Sequence, residues 1–405
     1  MAQENTKLFQ QILDHSHITH PYPIYAQLRE TPVCQQEDGT YVVSTYADVM
    51  ALLRDPRVSS DERKSADLSK VSPATTDPEF HPTFIFQDPP AHDLLRRLVV
   101  NQFTPERIEG LRPHIEEVVQ QQLEAHRQTT RMDIVDDLAY PLPVSVICRL
   151  LGVPIKDEDL FHGWSTILAS TLDPGQTGTE EQKQKIIESS KQLREYLRGL
   201  VNNLRAHPED NLLSDIIKAN ETEKIMTEDD IVATAGLLLI AGHETTVNLI
   251  TNGMLTLLRQ PEIQERLRQE PDLIISFVEE MLRYDPPVQF RTRTTLAAID
   301  IDGITIPKGA SLVLIFASGS HDPARFERPE ECIPERTDNQ HLGFGGGIHY
   351  CVGAPLARIE AQIALRELNR RLIEPKLDQE PPPYRANASL RGPRHLTITY
   401  KGLRP

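Results

Sequence analysis

Residues 344–353 read FGGGIHYCVG and run directly into APLARIEAQIALRELNRRL, a helix-forming stretch from 354 to 372. A lone cysteine in a reduced compartment most often ends as a buried structural thiol. The setting of Cys351 favours another use. Four glycines within nine residues strip side chains from around the sulfur and let the backbone approach something flat and bulky. A sulfur just ahead of a helix also faces unpaired N–H groups and the positive end of the helix dipole, which stabilise a thiolate as a ligand. A phosphate cradle is the other use of such a loop. It fails on pattern, because G-x-G-x-x-G is absent and no lysine follows to complete G-x-x-x-x-G-K-[ST].

Around this loop lies a chain of 405 residues, long enough for a large core and for one large domain or two to three ordinary ones. It carries 43 basic and 59 acidic residues, a net charge of −16. That balance argues against nucleic acid as the main partner. The N-terminus MAQENTKLFQQILDH lacks the charged-then-apolar order of a signal peptide, and the most apolar run, residues 231–242, is too short to span a bilayer. A soluble, cytoplasmic protein without membrane contact is expected. Cys34, Cys148, Cys332 and Cys351 show no C-x-x-C spacing, so neither disulfides nor structural zinc is indicated.

The chain changes character twice. VCQQEDGTYVVS at 33–44 reads as a hairpin with Asp38 and Gly39 at its turn. From about residue 92 to 285 the apolar spacing is helical, broken at prolines 105, 141, 154, 174 and 208 and capped by residues such as Thr104 and Thr227. After Tyr284-Asp285-Pro286-Pro287 come short strands, TTLAAIDIDGITIP and ASLVLIFAS, then an aperiodic stretch at 322–340. Without repeats or a linker-like composition shift, residues 1–405 read as one mainly α domain with a minor β part.

FGGGIHYCVG resembles the haem-binding signature F-x-x-G-x-[HR]-x-C-x-G of the cytochrome P-450 family, with Phe344, Gly347, His349, Cys351 and Gly353 on its fixed positions. The resemblance implies a triangular prism of helices, haem b as cofactor, and Cys351 as the axial thiolate on iron. Other parts of the family pattern follow in order. LIAGHETTVNLI at 239–250 is similar to the helix crossing the oxygen side of the haem, with Ala241, Gly242, Glu244 and Thr245 on its motif. Threonine back-bonding to the carbonyl four residues earlier, at Ala241, weakens the local ladder and can open a groove. His243-Glu244 is no zinc motif, since position 247 is valine.

SFVEEMLRYDPP places Glu280 and Arg283 one turn apart, on one helix face. The resemblance implies a buried pair joined by an arginine of DPARFERPEECIPER, which nominates Arg336, although Cys332 and Ile333 stand where an aromatic residue and an aspartate are common. Two propionates need charged or donating partners when buried. The resemblance nominates His92 and Arg96 in DPPAHDLLRRLV, Arg293 rather than Arg291 in QFRTRTTLAAIDIDG, and His349, with Phe344, Gly345 and Ala241 also against the cofactor.

The activity so implied is insertion of one atom of dioxygen into a medium-sized hydrophobic organic substrate by hydroxylation or epoxidation. Thr245 hydrogen-bonds the oxygen and Glu244 helps deliver protons. Electrons are expected from a separate ferredoxin and NAD(P)H-dependent reductase, because no flavin, nicotinamide or iron–sulfur pattern is left over. Arg96, Arg97, Arg107 and Arg358 are expected to form a basic docking patch on the cysteine side. Leu237, Leu238, Ala241, Val288, Phe290 and Leu390 are expected to line the substrate pocket; Arg291 could hint at an anionic substrate group, but an outward surface residue is the better expectation, and loop 71–83 is expected to move to admit substrate. A peroxide-driven peroxygenase and a non-catalytic haem sensor are the rival readings.

Overall fold

A computed structural model describes residues 6–68, 71, 72, 75, 80–171 and 179–405. Pro174 and residues 73, 74 and 76–79 of loop 71–83 lie outside the described residues.

The architecture is mainly helical with small sheets. The predicted hairpin forms as Val33–Gln35 antiparallel to Tyr41–Val43, its turn closed by Asp38, which accepts from the Thr40 N–H at 3.0 Å. It does not stand alone. Tyr41–Val43 pairs in parallel with Ser311–Leu314, which pairs antiparallel with Arg291–Thr295, and Val58–Ser59 closes the far edge. One sheet thus joins the N-terminal hairpin to strands some 250 residues later, a pairing that local patterning does not reveal. The ASLVLIFAS stretch is strand only to Leu314; Phe316–Ser320 turns into a short helix.

Six helices position the site: α1 (Ala91–Val100), α2 (Pro141–Leu151), α3 (Glu180–Ala206), α4 (Glu228–Arg259), α5 (Ile274–Tyr284) and α6 (Ala354–Arg371). The axis of the fold is α4, packed by α2, α3, α5 and α6. Its start is set by a capping box, in which Thr227 and Asp230 satisfy each other's backbone N–H groups. Ile231, Leu239, Val247, Leu249 and Ile250 feed the main apolar core. Gly242 permits the close approach of α2, since a Cβ there would lie 3.1 Å from the Ile147 Cδ1 atom. Prolines 105 and 141 open helices rather than interrupt them, the position where a missing N–H costs nothing. Among the described residues, no helix is long and apolar enough to cross a membrane.

Beneath α4, the coil after Phe316–Ser320 is held by an ion cluster. Arg283 donates to Glu280 through Nε at 2.9 Å and Nη2 at 2.8 Å, and both residues are fully buried. Arg336 adds a third contact at 3.2 Å. Arg283 also donates to the carbonyls of Ser320, Pro329 and Glu331. The unusual Cys332-Ile333 pair does no harm here, because the backbone N–H of Ile333 is what donates to Glu280, at 2.8 Å. A buried ion pair holds only when its remaining donors and acceptors are met, as they are in this cluster.

Candidate active site

The cysteine loop is held by its own backbone and by the helix it packs against. Cys351 donates its N–H to the Phe344 carbonyl at 3.1 Å, and Gly345 donates to Leu342 at 2.8 Å. Gly347 has φ +64°, and a Cβ there would meet the Leu53 carbonyl oxygen at 2.1 Å. This glycine therefore serves the packing of the loop on the helix Tyr46–Arg54 rather than an approaching cofactor. The Arg358 guanidinium stacks 4.7 Å over the Phe344 ring and is held by Glu279 at 2.6 Å. Burial pushes the Cys351 thiol up; the N–H groups of Gly353 and Ala354 and the charges of Arg96 and Arg358 act against it. The helix terminus does favour a thiolate, but burial outweighs it until a cation arrives at the sulfur.

Above the loop lies a cavity of about 1810 Å³ whose lining includes Cys351, Phe344, Gly345 and His349 on one side and Ala241, Glu244 and Thr245 of α4 on the other. Leu237, Leu238, Val288 and Leu390 also face it. Phe290 does not: it is buried in a separate cluster, edge-on to Phe9 at 5.3 Å. Strand alternation explains this, since Phe290 and Arg291 point to opposite faces. Arg291 is correspondingly no outward surface group but part of the cavity wall. Asn248, one turn beyond Thr245, is buried away from the cavity.

His92, Arg96, Arg293 and His349 converge from three separate segments. The His92 and His349 rings lie 4.5 Å apart, and His92 Nε2 and His349 Nδ1 are buried without a hydrogen-bond partner. Arg96 donates to the Tyr350 carbonyl, and Arg293 donates to the carbonyl of Thr292, its own neighbour, at 2.7 Å. Burial, then Arg293, His92 and Arg96, push His349 down to about 3. Burial likewise holds Arg293 down at about 10, with Asp88 pulling the other way. So many donors facing one another is unfavourable unless an anion sits among them. Two carboxylates beside a sulfur ligand across an apolar slot are what a haem would supply, so the residues fit that cofactor.

On α4 the helix is continuous through 241–246. The Thr245 hydroxyl donates to Ala241 O at 3.0 Å, as the motif predicts, yet the ladder does not break. The Glu244 carboxylate is paired with Arg385 Nε at 3.1 Å. Arg385 also donates to Asn248 Oδ1 at 2.6 Å and to the Pro393 carbonyl at 2.7 Å. Sequence reading missed Arg385, one of several arginines in an irregular C-terminal stretch with no spacing to mark it. The basic docking patch is also corrected. Arg97 pairs with Glu223, Arg107 with Asp215 and Arg358 with Glu279, so three of its four cations are neutralised locally. Leu94, Val100, Ile348 and Tyr350 are the large apolar side chains exposed in α1 and the cysteine loop.

The Cytochrome P-450 family model matches residues 33–399. The chain is 37% identical to the cytochrome P-450 monooxygenase PikC of Streptomyces venezuelae over 94% of its own length and 91% of that protein's. Among solved structures, Mycobacterium smegmatis CYP164A2 in its ligand-free state superposes with a TM-score of 0.90 at 40% identity, covering 97% of this chain and 100% of the other. Myxobacterial CYP267B1 in complex with myristic acid gives 0.88 at 34%, covering 97% and 99%. A family model over most of the chain, a relative 37% identical along nearly its whole length and a solved structure that superposes throughout agree, and the chain belongs to the cytochrome P-450 family of haem b monooxygenases.

Proposed function

We propose that this chain is a single-domain, cytoplasmic monooxygenase that oxidises a medium-sized hydrophobic organic molecule with electrons from a separate ferredoxin and its NAD(P)H-dependent reductase. The observation that carries the reading is Cys351 opposite Glu244 and Thr245 across one apolar cavity. When bound, the haem supplies the reductive activation of dioxygen and the insertion of one oxygen atom into substrate.

Cys351 provides the thiolate ligand, held by the N–H groups at the start of α6. His92 Nε2, His349 Nδ1 and the Arg96 and Arg293 guanidiniums would hold the propionates, which would give the two imidazole nitrogens the partner they otherwise lack. Leu237, Leu238, Ala241, Val288 and Leu390 bind the apolar body of the substrate and exclude water from it. Thr245 holds its hydroxyl proton at Oγ1 against the Ala241 carbonyl and can turn it toward the cavity. Glu244, oriented by Arg385, takes a proton from solvent and relays it toward Thr245. The intact acid–alcohol pair favours a dioxygen-driven enzyme over a peroxygenase, which needs no such relay. The exposed apolar residues Ile348 and Tyr350 beside the cysteine loop offer the ferredoxin a contact, in place of the neutralised arginines.

The test is turnover with a surrogate ferredoxin and reductase under isotopically labelled dioxygen, on ligands first selected by a shift of the Soret band. One labelled oxygen atom per product is expected. Oxidation that proceeds with hydrogen peroxide but not with reductant and dioxygen would overturn the reading.

A further inference from the structure

Most buried arginines of this protein have a carboxylate. Arg283 and Arg336 share Glu280, Arg385 has Glu244, Arg391 has Asp285 and Arg371 has Glu124. Among the described residues, Arg291 has none within ion-pair distance. Its Nη1 donates to Ser389 Oγ at 2.9 Å. Ser389 is itself fully buried and bonds the Phe290 carbonyl at 3.3 Å, so the guanidinium is held in place by a fixed acceptor that carries no charge. Burial and the like charge of Arg293, two residues along the same strand face, hold Arg291 down at about 10.

Arg291 lines the cavity beside Val288 and Leu390, whose backbones bridge one another across the same wall. On the proposed reading two haem propionates enter this region, and Arg96 and Arg293 already match them in charge. The cation of Arg291 is then surplus, in a wall where Thr292, Arg293 and Thr294 of its own strand stand beside the apolar Val288 and Leu390. An arginine so placed presents a planar fork that suits a carboxylate in a desolvated, two-point contact.

Resting on that reading, we propose that Arg291 is a specificity-determining residue that binds the carboxylate of the substrate, so that the enzyme takes hydrophobic monocarboxylates with the chain laid toward Thr245. Anchoring one end fixes which carbons reach the reacting centre.

The test is spectral titration of the holoenzyme with tetradecanoate, its methyl ester and the matching primary alcohol, followed by the Soret shift. The acid should bind about ten- to hundredfold more tightly than either neutral ligand. Arg291→Gln should erase that preference while leaving alcohol binding and haem content unchanged, Arg291→Lys should restore part of it, and Ser389→Ala should weaken it. Equal binding of acid and alcohol by the wild type would overturn the proposal. So would an Arg291→Gln enzyme that keeps the preference but loses haem, which would make this arginine a third propionate partner. The carbon monoxide spectrum of the same samples reports the haem–thiolate assignment separately, so a failure there is not confused with a failure here.

Discussion

The guanidinium of Arg385 stands 3.1 Å from the carboxylate of Glu244, and the same arginine reaches Asn248 one helical turn along α4. A carboxylate so tethered has a defined rotamer at the cavity wall, which a proton relay needs. Arg385→Leu is expected to lower product formed per NAD(P)H roughly ten- to hundredfold with little change in substrate Kd, and Arg385→Lys to recover much of the loss. Unaltered coupling in the leucine variant would show that Glu244 needs no such partner.

Thr245 offers a sharper separation of steps. Its hydroxyl back-bonds to Ala241 and the helix is continuous without a break, so Thr245→Ala should fold and bind ligands normally. Electron consumption should continue while product falls by about tenfold or more, with hydrogen peroxide accumulating in its place. Thr245→Ser keeps the hydroxyl and should stay coupled. The check is the ratio of product to peroxide.

Glu280→Gln should act on stability rather than turnover chemistry. It leaves Arg283, with no exposed surface, as an uncompensated buried charge, at a cost of about 3–5 kcal/mol. Because this cluster anchors the coil that leads into the cysteine loop, thermal unfolding and haem release should shift together. A variant with wild-type melting would contradict the anchoring role.

Glu279 gives the protein an acid-sensitive joint. Burial tends to raise its carboxyl, but His341 and Arg358 outweigh this and hold it at about 2, against an ordinary 4.5. A depressed folded-state value means stability that is fully present above the unfolded value and lost as pH falls from about 4.5 toward 2, at most about 3 kcal/mol before solvent screening. Arg358 and His341 flank the cysteine loop on either side, so acid should loosen the haem pocket in that window. Glu279→Gln should flatten the pH dependence of unfolding there, measured by denaturant titration.

Much of this site is written in local spacing. The ligand loop, the threonine four residues after Ala241, and Glu280 three before Arg283 each occupy one turn or one loop, and such patterns survive folding. What escaped reading depends on contacts distant in sequence. Arg385 meets Glu244 across 141 positions, as their numbers show, and nothing near either residue marks the other. Arg291 was expected at the surface because arginines usually are; its place in the wall follows from pairing with Leu314 in a sheet whose register the sequence alone does not give. Phe290 was misplaced by the same register. The basic patch failed for a different reason: Glu223, Asp215 and Glu279 approach it from other segments and cancel charges that a count along the chain leaves free.

The most direct test of the account is the carbon monoxide difference spectrum of the reduced holoprotein beside that of Cys351→His. The wild type should show the strongly red-shifted Soret band of a thiolate-ligated haem. The variant, still holding haem through His92, Arg96, Arg293 and His349, should lose that band while retaining pigment. A haem-loaded wild type without the red shift, or a variant that keeps it, would contradict the assignment of Cys351 as the iron ligand.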